Sequence, residues 1–287
     1  MLMVARLAPR QLDEASDQIV EFLHSQVHED GGARDRSGKS DLYYTAFLLE
    51  DFFALGAEPP RARVVEYLRA FGDGQELDSV HRACLVRCWA ALDKAWPSAG
   101  FAGEILSGVE ALRSSDGGYA ASPGAKDGTL YHAFLSLGVY QDLEVELPAP
   151  ERLAESVTRL RARDGGYANA LDLPMGTTPS TAAAAALLRN LGQPTPDEIG
   201  AWLAAQVHES GGFLAMPEAP IPDLLSTATA LHALSGLDVP LEPLRETCLD
   251  FIDSLWTGRS FVGHWDDDVS DCEYLFYALL ALGHLSV

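Results

Sequence analysis

Residues 266–273 read Asp-Asp-Asp-Val-Ser-Asp-Cys-Glu. Carboxylates crowded this closely raise one another's pKa, because each charge disfavours the next. One held protonated near neutral pH is a general acid. Asp271, Glu273 and Asp268 are the candidates for that role. The alternative is a solvated acidic loop whose Asp271 caps the helix that follows. A second set places polar or aromatic side chains in apolar segments: Tyr44, His81, Tyr131, Ser180, Ser226 and Tyr274, with Tyr43, Thr45, His132, Thr181 and Glu273 beside them. Aromatic faces suit carbocations. Tyrosines packed between helices with hydrogen-bonded tips are the alternative.

Other chemistry-bearing spacings read as structural. His24 and His28 have the i, i+4 spacing of a metal pair, but His28 recurs as His208 in the same repeat slot. His264 with Asp266, Asp268 and Cys272 is a weaker metal candidate. Cys84 and Cys88 share one apolar helix face and read as core thiols. The glycine pairs are not phosphate loops, since they follow helices and lack a Lys-Ser/Thr partner.

What must position these residues is a repeat. A glycine pair recurs in Glu29-Asp30-Gly31-Gly32, Asp116-Gly117-Gly118-Tyr119, Asp164-Gly165-Gly166-Tyr167 and Glu209-Ser210-Gly211-Gly212-Phe213, and weakly around Gly263. Gly118, Gly166 and Gly212 are 48 and 46 residues apart, and Gly32 lies 86 before Gly118. A period in this range means stacked supersecondary units. Each unit reads as an amphipathic helix ended by glycine, a variable loop, and a helix apolar nearly all round that often opens on Asp. Six hairpins are expected, at about 12–56, 60–95, 100–143, 150–192, 197–237 and 242–286. The apolar helices form an inner layer and the amphipathic ones an outer layer. Without polar capping repeats the stack is expected to close on itself. The expectation is one all-α domain over 1–287, an α6/α6 toroid with the inner-helix starts around one mouth.

Composition excludes several classes. With 42 acidic and 20 basic residues the formal charge is −22, which argues against nucleic acid. A solubilising surface explains the charge, and a basic protein partner is the sharper alternative. No apolar run is long enough to span a membrane, and the start has no secretory pattern. Four cysteines without framework spacing indicate reduced thiols and a cytoplasmic setting.

The pattern resembles the terpenoid cyclase and protein prenyltransferase β-subunit superfamily, with the Rab geranylgeranyl transferase β-subunit nearest in pattern. The stretch Gly211-Gly212-Phe213-Leu214-Ala215-Met216-Pro217-Glu218 through Pro222-Asp223 is similar to that family's zinc-side segment, and Gly117-Gly118-Tyr119 through Leu130-Tyr131 to its third unit. The resemblance implies the toroid and an apolar cavity for an isoprenoid or other lipid. It also implies a zinc ion held by Asp, Cys and His. Asp223 matches the first ligand and joins the substrate-side residues Tyr44, His81, Tyr131, Ser226 and Tyr274. Leu225 stands in place of the Cys and Tyr274 in place of the His. The diphosphate-binding cations correspond to Met216 and to Ala219 or Pro220. No cofactor is therefore expected, and magnesium only if the substrate is a diphosphate. The cyclase branch implies an Asp-x-Asp-Asp acid that is absent here; the 266–273 run lies where such an acid would sit. Three functions stay open: an isoprenoid-transforming or isoprenoid-binding protein without zinc, a prenyltransferase β-subunit with a divergent metal site, and a non-catalytic lipid-binding or interaction toroid.

Overall fold

The computed structural model describes residues 1–12 and 15–287. The chain runs α1 (Leu2–Ala5), α2 (Pro9–Leu12), α3 (Ala15–Gln26), β1 (Ala33–Arg34), β2 (Ser40–Asp41), α4 (Leu42–Ala54) and α5 (Arg61–Arg69). It continues with α6 (Ser79–Ala91), α7 (Phe101–Glu110), α8 (Leu130–Asp142), α9 (Pro150–Arg159), α10 (Thr178–Asn190) and α11 (Glu198–Ala204). Then come β3 (Phe213–Leu214), β4 (Pro222–Asp223), α12 (Leu224–Gly236), α13 (Arg245–Asp253) and α14 (Cys272–His284). The helices fall in the expected hairpin windows: α3/α4, α5/α6, α7/α8, α9/α10, α11/α12 and α13/α14.

The even-numbered helices from α4 to α14 each start on a side-chain cap. Asp41, Asp78, Asp223 and Asp271 accept backbone N–H bonds from the first turn, and Thr129 and Thr177 do so for α8 and α10. Each cap is worth about 1 kcal/mol and lets an apolar segment begin at a defined residue. A threonine one turn in adds a stitch. Thr45, Thr181 and Thr227 accept at 2.9 Å from the backbone N–H of Ala33, Tyr167 and Phe213, the residues just after the glycine pairs. These threonines are wholly buried. Thr45 and Thr181 therefore tie loop to helix rather than lining a mouth.

The glycine pairs differ from expectation in one respect. They do not end the outer helices, which stop five to seven residues earlier. Each pair closes a tight turn instead. Gly31, Gly117, Gly165 and Gly211 donate back three residues to His28, Ser114, Ala162 and His208, and those residues donate to the carbonyl of the second glycine. The first glycine takes φ between +91° and +102°. At Gly211 a Cβ would stand 1.9 Å from the Thr247 carbonyl oxygen of α13.

The chain forms two compact units, residues 1–67 with 204–287, and residues 68–203. In the first, α14 packs between α4 and α12 and α1 crosses α14 so closely that a Cβ on Gly283 would meet the Val4 carbonyl at 2.1 Å. Its core includes Leu48, Leu49, Phe52, Leu231, Leu275 and Leu279, all without solvent exposure. In the second, α8 packs between α6 and α10, over Leu85, Val86, Tyr119, Tyr167 and Leu187. Each buried aliphatic side chain stabilises its unit by about 1.5–3 kcal/mol. No helix among the described residues is long and apolar enough to cross a membrane.

Candidate functional site

The first turn of α14 gathers the acidic run. Asp271 caps it, its Oδ1 accepting from Tyr274 N at 2.9 Å. Its Oδ2 accepts from Arg36 Nε at 2.7 Å. Arg36 stands in the loop between β1 and β2 and also donates from both terminal nitrogens to Asp267, at 3.2 and 2.8 Å. Its guanidinium lies 5.1 Å from the centre of the Tyr274 ring. Arg36 and Asp267 join this cluster, whereas Asp268 is exposed and stays outside it.

Glu273, two residues into the helix, has a different partner. Tyr43 of α4 donates its hydroxyl to Glu273 Oε1 at 2.6 Å. The second oxygen of Glu273 has no hydrogen-bond partner among the described residues. Around it the two helices build an aromatic wall. Tyr43 meets Tyr44 and Phe47 edge-on at 5.5 and 5.0 Å, and Phe47 meets Phe276 and Tyr277 at 5.6 and 5.9 Å. The i, i+4 spacing of Tyr43 with Phe47, and of Glu273 with Tyr277, places each pair on one helix face.

Burial sets the electrostatics. It raises the Glu273 carboxyl above its ordinary 4.5, helped by the charge of Asp271 and opposed by the Tyr43 hydroxyl and by Arg36. Asp271 is likewise raised by burial, against the pull of the helix cap and Arg36. For Asp267, burial is outweighed by hydrogen bonds from Arg36, Val269 and Gly263, which hold it below the usual range. Burial and the neighbouring carboxylates push the hydroxyls of Tyr44 and Tyr274 up to about 12. Deeper in α4, Asp51 is fully buried with neither oxygen hydrogen-bonded. Desolvation, then Glu50 and Asp271, raise it well above 3.8.

The other candidate residues lie elsewhere. Asp223 spends Oδ1 on Ser226 N and Oδ2 on Ser226 Oγ, both at 2.7 Å. Ser226 is wholly buried, so its hydroxyl braces the α12 cap and offers nothing to a ligand. Asp223 thus has both oxygens engaged, and Leu225 and Tyr274 supply no imidazole or thiolate. These residues do not fit zinc, which takes three or four N, S or carboxylate ligands. Among the described residues no three His, Cys, Asp or Glu side chains converge as a metal site. In the second unit His81 hydrogen-bonds through Nδ1 to its helix cap Asp78 at 2.8 Å. Tyr131 is exposed, its backbone N–H held by Asn169 Oδ1 at 2.9 Å. Arg36 and Asp51 carry no local sequence signal, and Asp267 lies in the acidic run without being singled out. Internal similarity could still have pointed to the loop of the first glycine-pair unit, which carries Arg36 and Lys39.

Residues 181–286 match the sequence model of the prenyltransferase alpha-alpha toroid domain. No curated protein matches the chain by sequence. Solved structures match over nearly the whole length. Protein geranylgeranyltransferase-I of Candida albicans, in complex with GGPP, aligns at TM-score 0.69 and 13% identity, over 92% of this chain and 89% of that one. A variant of the type II terpene cyclase MstE from Scytonema, in complex with geranylgeranyl dihydroxybenzoate, aligns at 0.68 and 12%, over 97% of both chains. A protein from Actinoplanes aligns at 0.63 and 16%, over 95% of this chain and 98% of that one. The fold is the α/α toroid, and the superfamily resemblance carried by the glycine-pair stretches holds at the level of architecture.

Proposed function

We propose that this chain binds a prenyl or terpenoid chain against the aromatic wall of α4 and α14 and transforms it without zinc, with Glu273 as the proton donor. One observation carries this reading: a half-buried carboxyl with a raised pKa, one oxygen held by Tyr43 and the other unengaged, on the helix face shared with Tyr277. Two fold neighbours hold geranylgeranyl compounds, which supports the ligand class. The four cysteines are free and buried, as suits a reducing compartment.

The chemistry follows from the positions. A protonated Glu273 delivers its proton to an alkene carbon, and the alkene π pair becomes the new C–H bond. The O–H pair stays on Glu273 as carboxylate, steadied by the Tyr43 hydroxyl. The carbocation left on the neighbouring carbon faces aromatic rings, an interaction worth about 0.5–2 kcal/mol per ring. An internal alkene then supplies electrons, and loss of a proton ends the reaction.

The test is extraction of the purified protein with mass spectrometry of bound lipids, followed by turnover assays on geranylgeranyl-bearing compounds. A general acid contributes about 10²–10⁴-fold, so Glu273→Gln should lower turnover by that factor with helicity unchanged, while Asp268→Asn should not. Normal turnover by Glu273→Gln would show the acid assignment to be wrong. Stoichiometric zinc in the purified protein would instead favour a prenyltransferase β-subunit with a divergent site.

A further inference from the structure

The loop that carries Arg36 is a built turn. Asp35 Oδ1 accepts from Ser37 N, Ser37 Oγ and Lys39 N at 2.8–2.9 Å, and Gly38 takes φ +85°. Arg36 is thereby aimed at α14, 235 residues further along the chain. Its planar fork reaches Asp271 with one edge and Asp267 with the other, a division that a lysine ammonium does not reproduce.

We propose that Arg36 is a positioning residue for the reaction assigned above: by holding Asp271 as a carboxylate at the cap of α14, it leaves Glu273 as the carboxyl that carries the site's proton. This rests on the reading of Glu273 as proton donor. Asp271 is buried and Glu273 half-buried two residues on, and the charge of Asp271 acts on Glu273, so their protonation belongs to the pair unless something separates them. Here the separation is geometric. Asp271 receives a charged donor, Arg36 Nε, and the backbone N–H of Tyr274. Glu273 receives one neutral donor, the Tyr43 hydroxyl. A carboxylate with a charged donor keeps its charge, and that charge disfavours a second one nearby.

The surrounding groups do not provide the same separation. Tyr43, Tyr44 and Asp51 face the pair from α4, Cys272 and Tyr274 from α14 itself and Asp267 from the preceding loop, while Asp41 at the end of β2 acts on Tyr44 and Asp223 at the cap of α12 acts on Tyr274. Among these described groups and Arg36, only Arg36 gives either carboxyl a hydrogen bond from a cation.

The test reads protonation directly, in the unliganded full chain, by infrared titration of the carboxyl C=O band with ¹³C-aspartate labelling, from roughly pH 5 to 8. Spectra are compared as differences from the wild type, so any band from the buried Asp51 cancels. The wild type should show a protonated glutamate band that Glu273→Gln removes, and no protonated band from Asp271. Arg36→Met should add a labelled aspartate band comparable in area to the Glu273 band, abolished again by a further Asp271→Asn. Arg36→Lys, which can engage only one carboxylate, should add a smaller one. A folded Arg36→Met protein with no new aspartate band overturns the proposal. If Arg36→Met does not fold, an unchanged Arg36→Lys spectrum overturns it equally. A wild type in which Glu273→Gln removes no band would sink the proton-donor reading itself, a result separate from the Arg36 comparison.

Discussion

At the residue scale, the acidic run divides into unlike fates. Asp267 and Asp271 pair with Arg36, Glu273 lies under Tyr43, and Asp266 and Asp268 face solvent. The crowding was legible in the sequence. The sorting was not, because it comes from partners 230 or more residues away. Asp51 shows the same limit, since nothing in Leu49-Glu50-Asp51-Phe52 marks a carboxyl that will lose all contact with water. Its raised pKa has a consequence for stability. The unfolded chain ionises this group freely above 3.8 and the folded chain does not. Stability from Asp51 is therefore whole below that value and is lost as pH rises toward the folded pKa. Asp51→Asn removes the penalty. The variant should gain on the wild type by about 1.4 kcal/mol for each pH unit above 3.8, until the folded pKa is passed. Urea unfolding at several pH values measures this. A variant less stable than the wild type at neutral pH would mean that Asp51 has an ionised role.

At the element scale, the signals were mostly local. Asp41, Asp223 and Asp271 were readable as helix starts, and each caps as its position requires. The glycine pairs were readable as backbone necessities, but their place in the turn was not. That place depends on how near the next outer helix comes. Gly211 and Gly38 separate the two effects. Both have positive φ, so alanine costs about 1–2 kcal/mol at either from backbone strain alone. Nothing lies within 4 Å of a Cβ on Gly38, whereas at Gly211 it would overlap the Thr247 carbonyl. Gly38→Ala should lower stability by about that strain energy. Gly211→Ala should cost several kcal/mol, roughly 4 or more, since α13 must move. Thermal melts of the two variants give the comparison, and equal losses would show that α13 yields freely.

At the scale of the whole molecule, charge and architecture answer to different causes. The −22 formal charge repels itself in the compact state. Raising salt from roughly 0.02 to 0.3 M shortens the Debye length to a few ångströms. The melting temperature should therefore rise by about 2–4 °C; a fall would mean that paired charges outweigh the repulsion. The α/α toroid itself was legible before any coordinates, because a repeated unit writes the same periodicity, cap and turn residues several times over. Local preference and hydrophobic spacing act over a few residues, so the sequence by itself determined the helices and most of their starts. Only the tertiary structure decided which carboxylates meet Arg36, that Tyr43 reaches Glu273, and that Asp51 and Ser226 are sealed from water. Those outcomes require packing α14 against α4 and α12, and no short-range rule encodes which side chains that packing brings together.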